Sequence, residues 1–335
     1  MNSSWHGRTV GALFREQAAR RPDLEAVVGA DGELRRTYGE LARDVDALTE
    51  HLVDLGVGRE VSVGVLLPRS YELVVSMLAA LCAGGVYTPL NPALPDSRLS
   101  ALAEDTRPPV VLSSRALDDR LHGAGPAGGV VRTDVGALLS GLPPRAPRTA
   151  GDEGRAAAAD RHAPEAAAYV IQTSGSTGRP KSVQVGMEAL VNTLTWCRDA
   201  CGIHEGSRVL QVIASSFDAS IRSYLTPLLT GASLTLFQEG PYDPQALLAT
   251  LGRERISVFN PAVPSQFYPV VELAAADGFR QLRSLRCLAL GAESPDLSSL
   301  RPWIDSDHFD ARILNVYGPT EAADIACYAE LATAG

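Results

Sequence analysis

Apolar residues recur with a helical period over 10–19 and again over 39–55, where Gly56 supplies a stop. Residues 61–67 then read as a buried strand, 71–83 as a helix, 86–90 as a strand, 96–105 as a helix and 109–112 as a strand. Strand and helix alternate, which predicts a parallel α/β sheet. From about residue 117 to 166 the pattern dissolves into Gly, Ala, Pro, Arg and Asp, and runs such as 123–129 and 155–160 supply little apolar surface. The alternation resumes afterwards. Strands are predicted at 168–173, 182–185, 208–213, 233–237, 256–260, 285–290 and 312–316, with helices at 187–200, 219–229, 244–254, 264–275 and 296–304. The expected fold is α/β, two stacked lobes with mainly parallel sheets. The first lobe covers 1–165, with a loop-rich excursion at 117–165, and the second covers 166–335. A chain of 335 residues exceeds what one growing core accommodates, which also favours two lobes.

Composition narrows the classes. A net charge of -9 without any basic tract argues against a nucleic-acid partner. The first residues hold no apolar stretch of the secretory kind. The longest apolar run, 73–90, is interrupted by Gly84, Gly85 and Pro89 and is too short to span a bilayer, so no membrane partner is expected. Five scattered cysteines imply reduced thiols and a cytoplasmic setting. Cys197, Cys201 and His204 could share one side of a helix end, but no fourth metal ligand accompanies them.

Lys181 is the only lysine among 30 basic residues. It closes the run Thr173-Ser-Gly-Ser-Thr-Gly-Arg-Pro-Lys181, in which hydroxyls and small-residue amides surround a compact ammonium, as anion binding requires. A Walker A loop is excluded, because Pro180 has no amide to donate and cannot take positive φ. The phosphate-binding candidates are therefore Thr173, Ser174, Gly175, Ser176, Thr177, Gly178 and Lys181. A second segment, Ser216-Phe-Asp-Ala-Ser220, enters a helix. Asp218 there either caps the helix or aims a carboxylate at an ammonium. A third, Asn315-Val-Tyr-Gly-Pro-Thr-Glu321, places an aromatic, a hydroxyl and a carboxylate just beyond a strand's carboxyl end, where open α/β sheets bind ligands. Thr320 as a helix cap is the competing reading for this turn.

These segments, with Gly291-Ala-Glu293, resemble the adenylate-forming superfamily, and most closely the amino-acid adenylation domains of nonribosomal peptide synthetases. Tyr38-Gly-Glu-Leu41 and Ala83-Gly-Gly-Val-Tyr-Thr-Pro-Leu-Asn-Pro92 resemble the family's early motifs as well. Ser182 departs from the usual glycine. Family members continue beyond the Tyr-Gly-Pro-Thr-Glu turn into a Tyr-x-Thr-Gly-Asp segment, a hinge and a C-terminal domain with a catalytic lysine. None of these occurs in the 335 residues, so the expectation is an N-terminal core lacking the C-terminal subdomain.

The resemblance implies a ligase that converts ATP and an amino acid to aminoacyl-AMP and pyrophosphate, then passes the product to a peptidyl carrier protein's phosphopantetheine thiol. Lys181 and its loop would take the β- and γ-phosphates, Thr320 the α-phosphate, and Glu321 a Mg²⁺ ion. Tyr317 would stack on adenine above Gly318, with Asn315 reading the exocyclic amine and the backbone of Gly291, Ala292 and Glu293 lining that pocket. Asp218 would hold the substrate ammonium. Ala219, Arg222, Asn260, Ala289, Gly291, Val316, and Asp324 or Ile325 would line the side-chain cavity. Arg222 favours an acidic or strongly polar substrate, glutamate-like. The opposing reading is that Asp324 neutralises Arg222, leaving a smaller polar substrate. Two rival functions stay open: an ATP- or amino-acid-binding core without full turnover, and an aryl- or acyl-activating ligase that has no use for Asp218.

Overall fold

The computed structural model describes residues 5–121, 130–142, 164–173 and 181–334. The chain folds as two compact units, and both are discontinuous in sequence. One comprises Met1–Asp23, Thr37–Asn192 and Ala214–Asp218; the other comprises Leu24–Arg36, Thr193–Ile213 and Ala219–Gly335.

In the first unit the described strands lie in the order Val131–Asp134, Val110–Ser113, Ser62–Val65, Val86–Pro89, Ala167–Thr173, Lys181–Gly186. All neighbours run parallel except the last two, which form an antiparallel hairpin. The helix Tyr71–Cys82 is buried at every position but Glu72, which explains its unbroken apolar run. The helix Tyr38–Asp54 starts on a reciprocal cap. The Thr37 hydroxyl accepts from the Glu40 amide at 3.2 Å, and the Glu40 carboxylate accepts from the Thr37 amide at 2.8 Å.

The second unit orders its strands Cys327–Thr333, Arg312–Tyr317, Cys287–Leu290, Val258–Ala262, Arg208–Gln211, Ser233–Leu236, Glu25–Gly29, Arg35–Thr37. From Arg312–Tyr317 to Glu25–Gly29 the pairing is parallel, and Cys327–Thr333 closes one edge antiparallel. Trp303 is fully buried and meets Phe267 and Phe309 edge-on, with ring centroids 5.9 and 5.0 Å apart. These rings anchor the side of the sheet opposite the cluster described below.

The expected lobe boundary at 165/166 is corrected in three places. The strands Ala167–Thr173 and Lys181–Gly186 extend the first sheet, because Tyr87 and Tyr169 pair in parallel register. Glu25–Gly29 belongs instead to the second sheet, beside Ser233–Leu236. Inside the expected excursion, Val131–Asp134 pairs with Val110–Ser113 and runs into the short helix Val135–Ser140. No described helix is long and apolar enough to cross a membrane.

Candidate active site

Ser174, Gly175, Ser176, Thr177 and Gly178 lie outside the described residues. Their flanks are described: Thr173 ends one strand of the hairpin, Lys181 opens the other, and the two are register partners. The Lys181 side chain is exposed and, among the described residues, makes no hydrogen bond or ion pair. A surface lysine held this way is available to an anion.

Asp218 is the first residue of the helix Asp218–Thr230, half-buried, and Ala219 follows it. One turn on, Arg222 is 2 % exposed. Its guanidinium donates from Nε to Asp324 Oδ2 at 2.5 Å, from Nη2 to Asp324 Oδ1 at 3.5 Å, and closely from Nη1 to Asn260 Oδ1. Burial alone would lower the pKa of Arg222, but the Asp324 charge and hydrogen bond, together with the neighbouring Cys197 and Cys201 thiols, offset it and hold the guanidinium above its ordinary value. Asn260 in turn directs its amide NH₂ at Cys197 Sγ, 2.9 Å away, and the Arg222 Cζ lies 6.0 Å from the Trp196 ring centroid.

Asp324 reaches Arg222 because of how the segment after Arg312–Tyr317 folds back. Ala323 and Asp324 take positive φ in succession, 58° and 81°, and Ala326 donates its amide to Tyr317 O at 2.9 Å. The Thr193 hydroxyl fixes the Ala323 carbonyl at 2.8 Å. At Gly318 a Cβ would stand 2.2 Å from Asp324 O and 2.6 Å from Ala326 N, so only glycine lets this loop close. Ala289, Val316 and Ile325 share one apolar cluster with Cys197, Cys201 and Cys287. Gly291 packs directly on Val316.

The outer part of the same segment is open. Tyr317 is 68 % exposed at the strand's carboxyl end, and Thr320–Ala322 forms a single 3₁₀ turn. Among the described residues the side chains of Asn315, Tyr317, Thr320 and Glu321 have no polar partner. The exposed, unpartnered Glu321 carboxylate suits a Mg²⁺ ion that takes most of its other ligands from phosphates and water. Glu293 is engaged otherwise: its carboxylate accepts from the Ser265 amide at 3.1 Å and hydroxyl at 2.9 Å, capping the helix Pro264–Ala274 from outside. Ala292, beside it, has φ 70°.

Trp196 and Cys197 were not among the expected site residues. The available signal was the i, i+4 spacing of Cys197 and Cys201. Both thiols point into the apolar cluster, whereas His204 is exposed and accepts from the Gly206 amide at 3.1 Å, so the trio divides. No metal-binding group occurs among the described residues.

This architecture matches known proteins over nearly its whole length. The family model described as AMP-binding enzyme matches residues 14–334, and the chain belongs to that family. It is 33 % identical over 320 residues to tyrocidine synthase 3 of Brevibacillus parabrevis, covering 94 % of this chain and 4 % of that protein. It is 37 % identical over 324 residues to chondramide synthase of Chondromyces crocatus, covering 92 % of this chain and 8 % of that protein. Among solved structures, the nonribosomal peptide synthetase FmoA3 with alpha-methyl-L-serine-AMP bound aligns with TM-score 0.84 and 26 % identity, over 97 % of this chain and 34 % of that one. The N-terminal subdomain of Klebsiella oxytoca NpsA shares the fold, with TM-score 0.80 at 23 % identity, over 99 % of this chain and 79 % of that one. Within the family the chain therefore falls among the adenylation domains of nonribosomal peptide synthetases, and its fold is that of their N-terminal core.

Proposed function

We propose that this chain activates an α-amino acid as aminoacyl-AMP, with ATP as the second substrate and Mg²⁺ as the metal, for delivery to a carrier-protein thiol. The observation that carries the reading is the open turn Tyr317–Glu321. It presents an aromatic face, a hydroxyl and a carboxylate without partners, just past the carboxyl end of a parallel strand.

In the reaction one oxygen of the amino acid's carboxylate attacks the α-phosphorus of ATP. An O–P bond forms, the bond to the β-phosphate bridge oxygen breaks, and pyrophosphate leaves with the electron pair. Both reactants are anionic, so the barrier is reduced mainly by alignment and charge neutralisation. Lys181 would place a point charge on the β- and γ-phosphates, assisted by the Thr173–Gly178 loop, and Thr320 would donate to the α-phosphate. Mg²⁺ on Glu321 would supply further neutralisation of phosphate charge. Tyr317 would stack on adenine over Gly318, with Asn315 and the Gly291–Glu293 backbone around the base. Asp218 would meet the substrate ammonium, a group that needs a carboxylate once removed from water.

The relatives support this reading. FmoA3 is described with AMPPNP bound and with alpha-methyl-L-serine-AMP bound, and NpsA, which shares the fold, is also described artificially fused to ThdA as an adenylation–PCP di-domain. Amino-acid-dependent exchange of labelled pyrophosphate into ATP tests it. Exchange with an α-amino acid, lost in Asp218→Ala, is the expected result. Exchange with aryl or acyl acids that Asp218→Ala leaves intact would transfer the chain to that ligase class. ATP binding without exchange on any acid would leave a binding core.

A further inference from the structure

We infer that the buried Arg222–Asp324–Asn260 network makes this pocket select a neutral polar side chain and exclude a carboxylate, with Asp324 as the specificity-determining residue and Cys197 and Trp196 as positioning residues. This rests on the amino-acid reading of the same site.

A buried arginine at the position the resemblance assigns to the pocket wall invites an acidic substrate only while its charge is unmet. Here Asp324 meets it through two N–H donors, and both side chains are under one-tenth exposed. A second carboxylate entering beside Asp324 would be a buried negative charge with no counter-ion, the arrangement that low-dielectric sites penalise most. The polar demand is nevertheless unfilled. A guanidinium carries five N–H donors, and Asp324 and Asn260 engage three of them. Each of the three guanidinium nitrogens thus has a partner, and two N–H bonds remain for a further acceptor. A hydroxyl or carboxamide oxygen satisfies such a donor and brings no net charge, whereas an alkyl side chain would leave it unsatisfied.

The network also fixes its own orientation. Because the Asn260 carbonyl oxygen accepts from Arg222, its NH₂ must face Cys197, and the opposite flip would set donor against donor. Burial pushes the Cys197 thiol well above its ordinary pKa, so it stays neutral and adds no third charge. Trp196 lies against the guanidinium and limits its movement.

The test measures pyrophosphate exchange and the ligand-induced rise in melting temperature for serine, threonine, asparagine, glutamine, aspartate, glutamate, leucine and phenylalanine. For the unmodified chain the expected order puts a neutral polar amino acid first and both acidic ones about a hundredfold lower in kcat/KM. Asp324→Ala removes the counter-charge and opens room for a substrate carboxylate. Discrimination should then shift at least about tenfold toward aspartate or glutamate, and those two should raise the melting temperature of the variant but not of the parent. The double variant Arg222→Met/Asp324→Ala should fold and lose that gain. Cys197→Ala should narrow the polar-over-apolar ratio with kcat little changed, and Cys197→Ser should restore it.

An acidic first choice in the unmodified chain overturns the inference while leaving the amino-acid reading intact, as does a folded Asp324→Ala without acidic gain, or equal gain in the double variant. If Asp324→Ala does not fold, the parent's order still decides. Exchange with no amino acid at all defeats the underlying reading instead.

Discussion

Residues 315–321 and residues 323–325 are neighbours in sequence, yet they meet opposite environments. In the first stretch Tyr317 and Glu321 are exposed, and the side chains of Asn315, Tyr317, Thr320 and Glu321 have no polar partner among the described residues. In the second, Ala323 and Asp324 are buried, backbone φ is driven positive twice, and the Asp324 carboxylate is committed to Arg222. The contrast separates side chains held open for something that arrives from side chains that already satisfy one another. Groups of the first kind contribute little to folding. Removing one group of the second kind leaves its partner buried and unpaired, so folding must depend on them.

That contrast can be broken experimentally, starting where the effect is largest. Arg222→Ala leaves Asp324 buried without its counter-ion and should destabilise the chain by about 3–5 kcal/mol in urea unfolding. An unchanged midpoint would show the pair to be dispensable. Lys181→Met should behave the other way. Exchange should fall roughly a hundredfold, with unfolding stability moved by less than about 0.5 kcal/mol. Equal losses in both readouts would erase the distinction between open and closed groups. Gly318→Ala sits between the two, since its Cβ clashes with Asp324 O and Ala326 N. It should cost about 1–3 kcal/mol and blur amino-acid discrimination together, because it disturbs the loop that presents Asp324. The smallest effect sharpens the picture at one residue. Glu293→Ala removes an external helix cap worth about 1 kcal/mol and should alter stability more than the KM for ATP. A rise in that KM without loss of stability would assign the Glu293 side chain to the nucleotide instead.

The open groups were the legible ones. Tyr317, Glu321 and Lys181 sit in short motifs whose composition has no good packing explanation, so sequence alone singles them out, whereas Thr320 also reads as a helix cap. The closed network was only partly visible. Arg222 and Asp324 are 102 positions apart, and their pairing depends on two left-handed residues and on the absence of a side chain at 318. An unresolved alternative in the sequence, Asp324 or Ile325, divides in the structure. Asp324 turns to the guanidinium and Ile325 packs on the apolar cluster. The sequence reading of an acidic, glutamate-like substrate treats Arg222 as unmet, whereas in the structure Asp324 pairs with it, the observation on which the proposed preference for a neutral polar side chain rests. Trp196 has no sequence signal beside the guanidinium, and Cys197 draws attention only as a metal-ligand candidate with Cys201 and His204, because a tryptophan or cysteine on a helix reads as ordinary core.

The fold shows the same division. Central elements such as Tyr71–Cys82 and Cys287–Leu290 carry strong apolar runs and were placed from sequence. The edges were not. Cys327–Thr333 has no fully buried position, and Val131–Asp134 has one, so neither has a hydrophobic pattern to find. Glu25–Gly29 is apolar enough, but its partner Ser233–Leu236 lies some two hundred residues on, a pairing that no local pattern announces.

The claim at the centre is that this site recognises an α-amino acid by its ammonium while it forms an acyl phosphate bond. The most direct measurement is calorimetric binding of non-hydrolysable aminoacyl-sulfamoyl adenosines, each beside the same compound without its α-amino group. The amine should improve Kd by about thirtyfold or more, and Asp218→Asn should abolish most of that difference. Equal affinity for the amine-bearing and amine-free members of every pair would contradict the account.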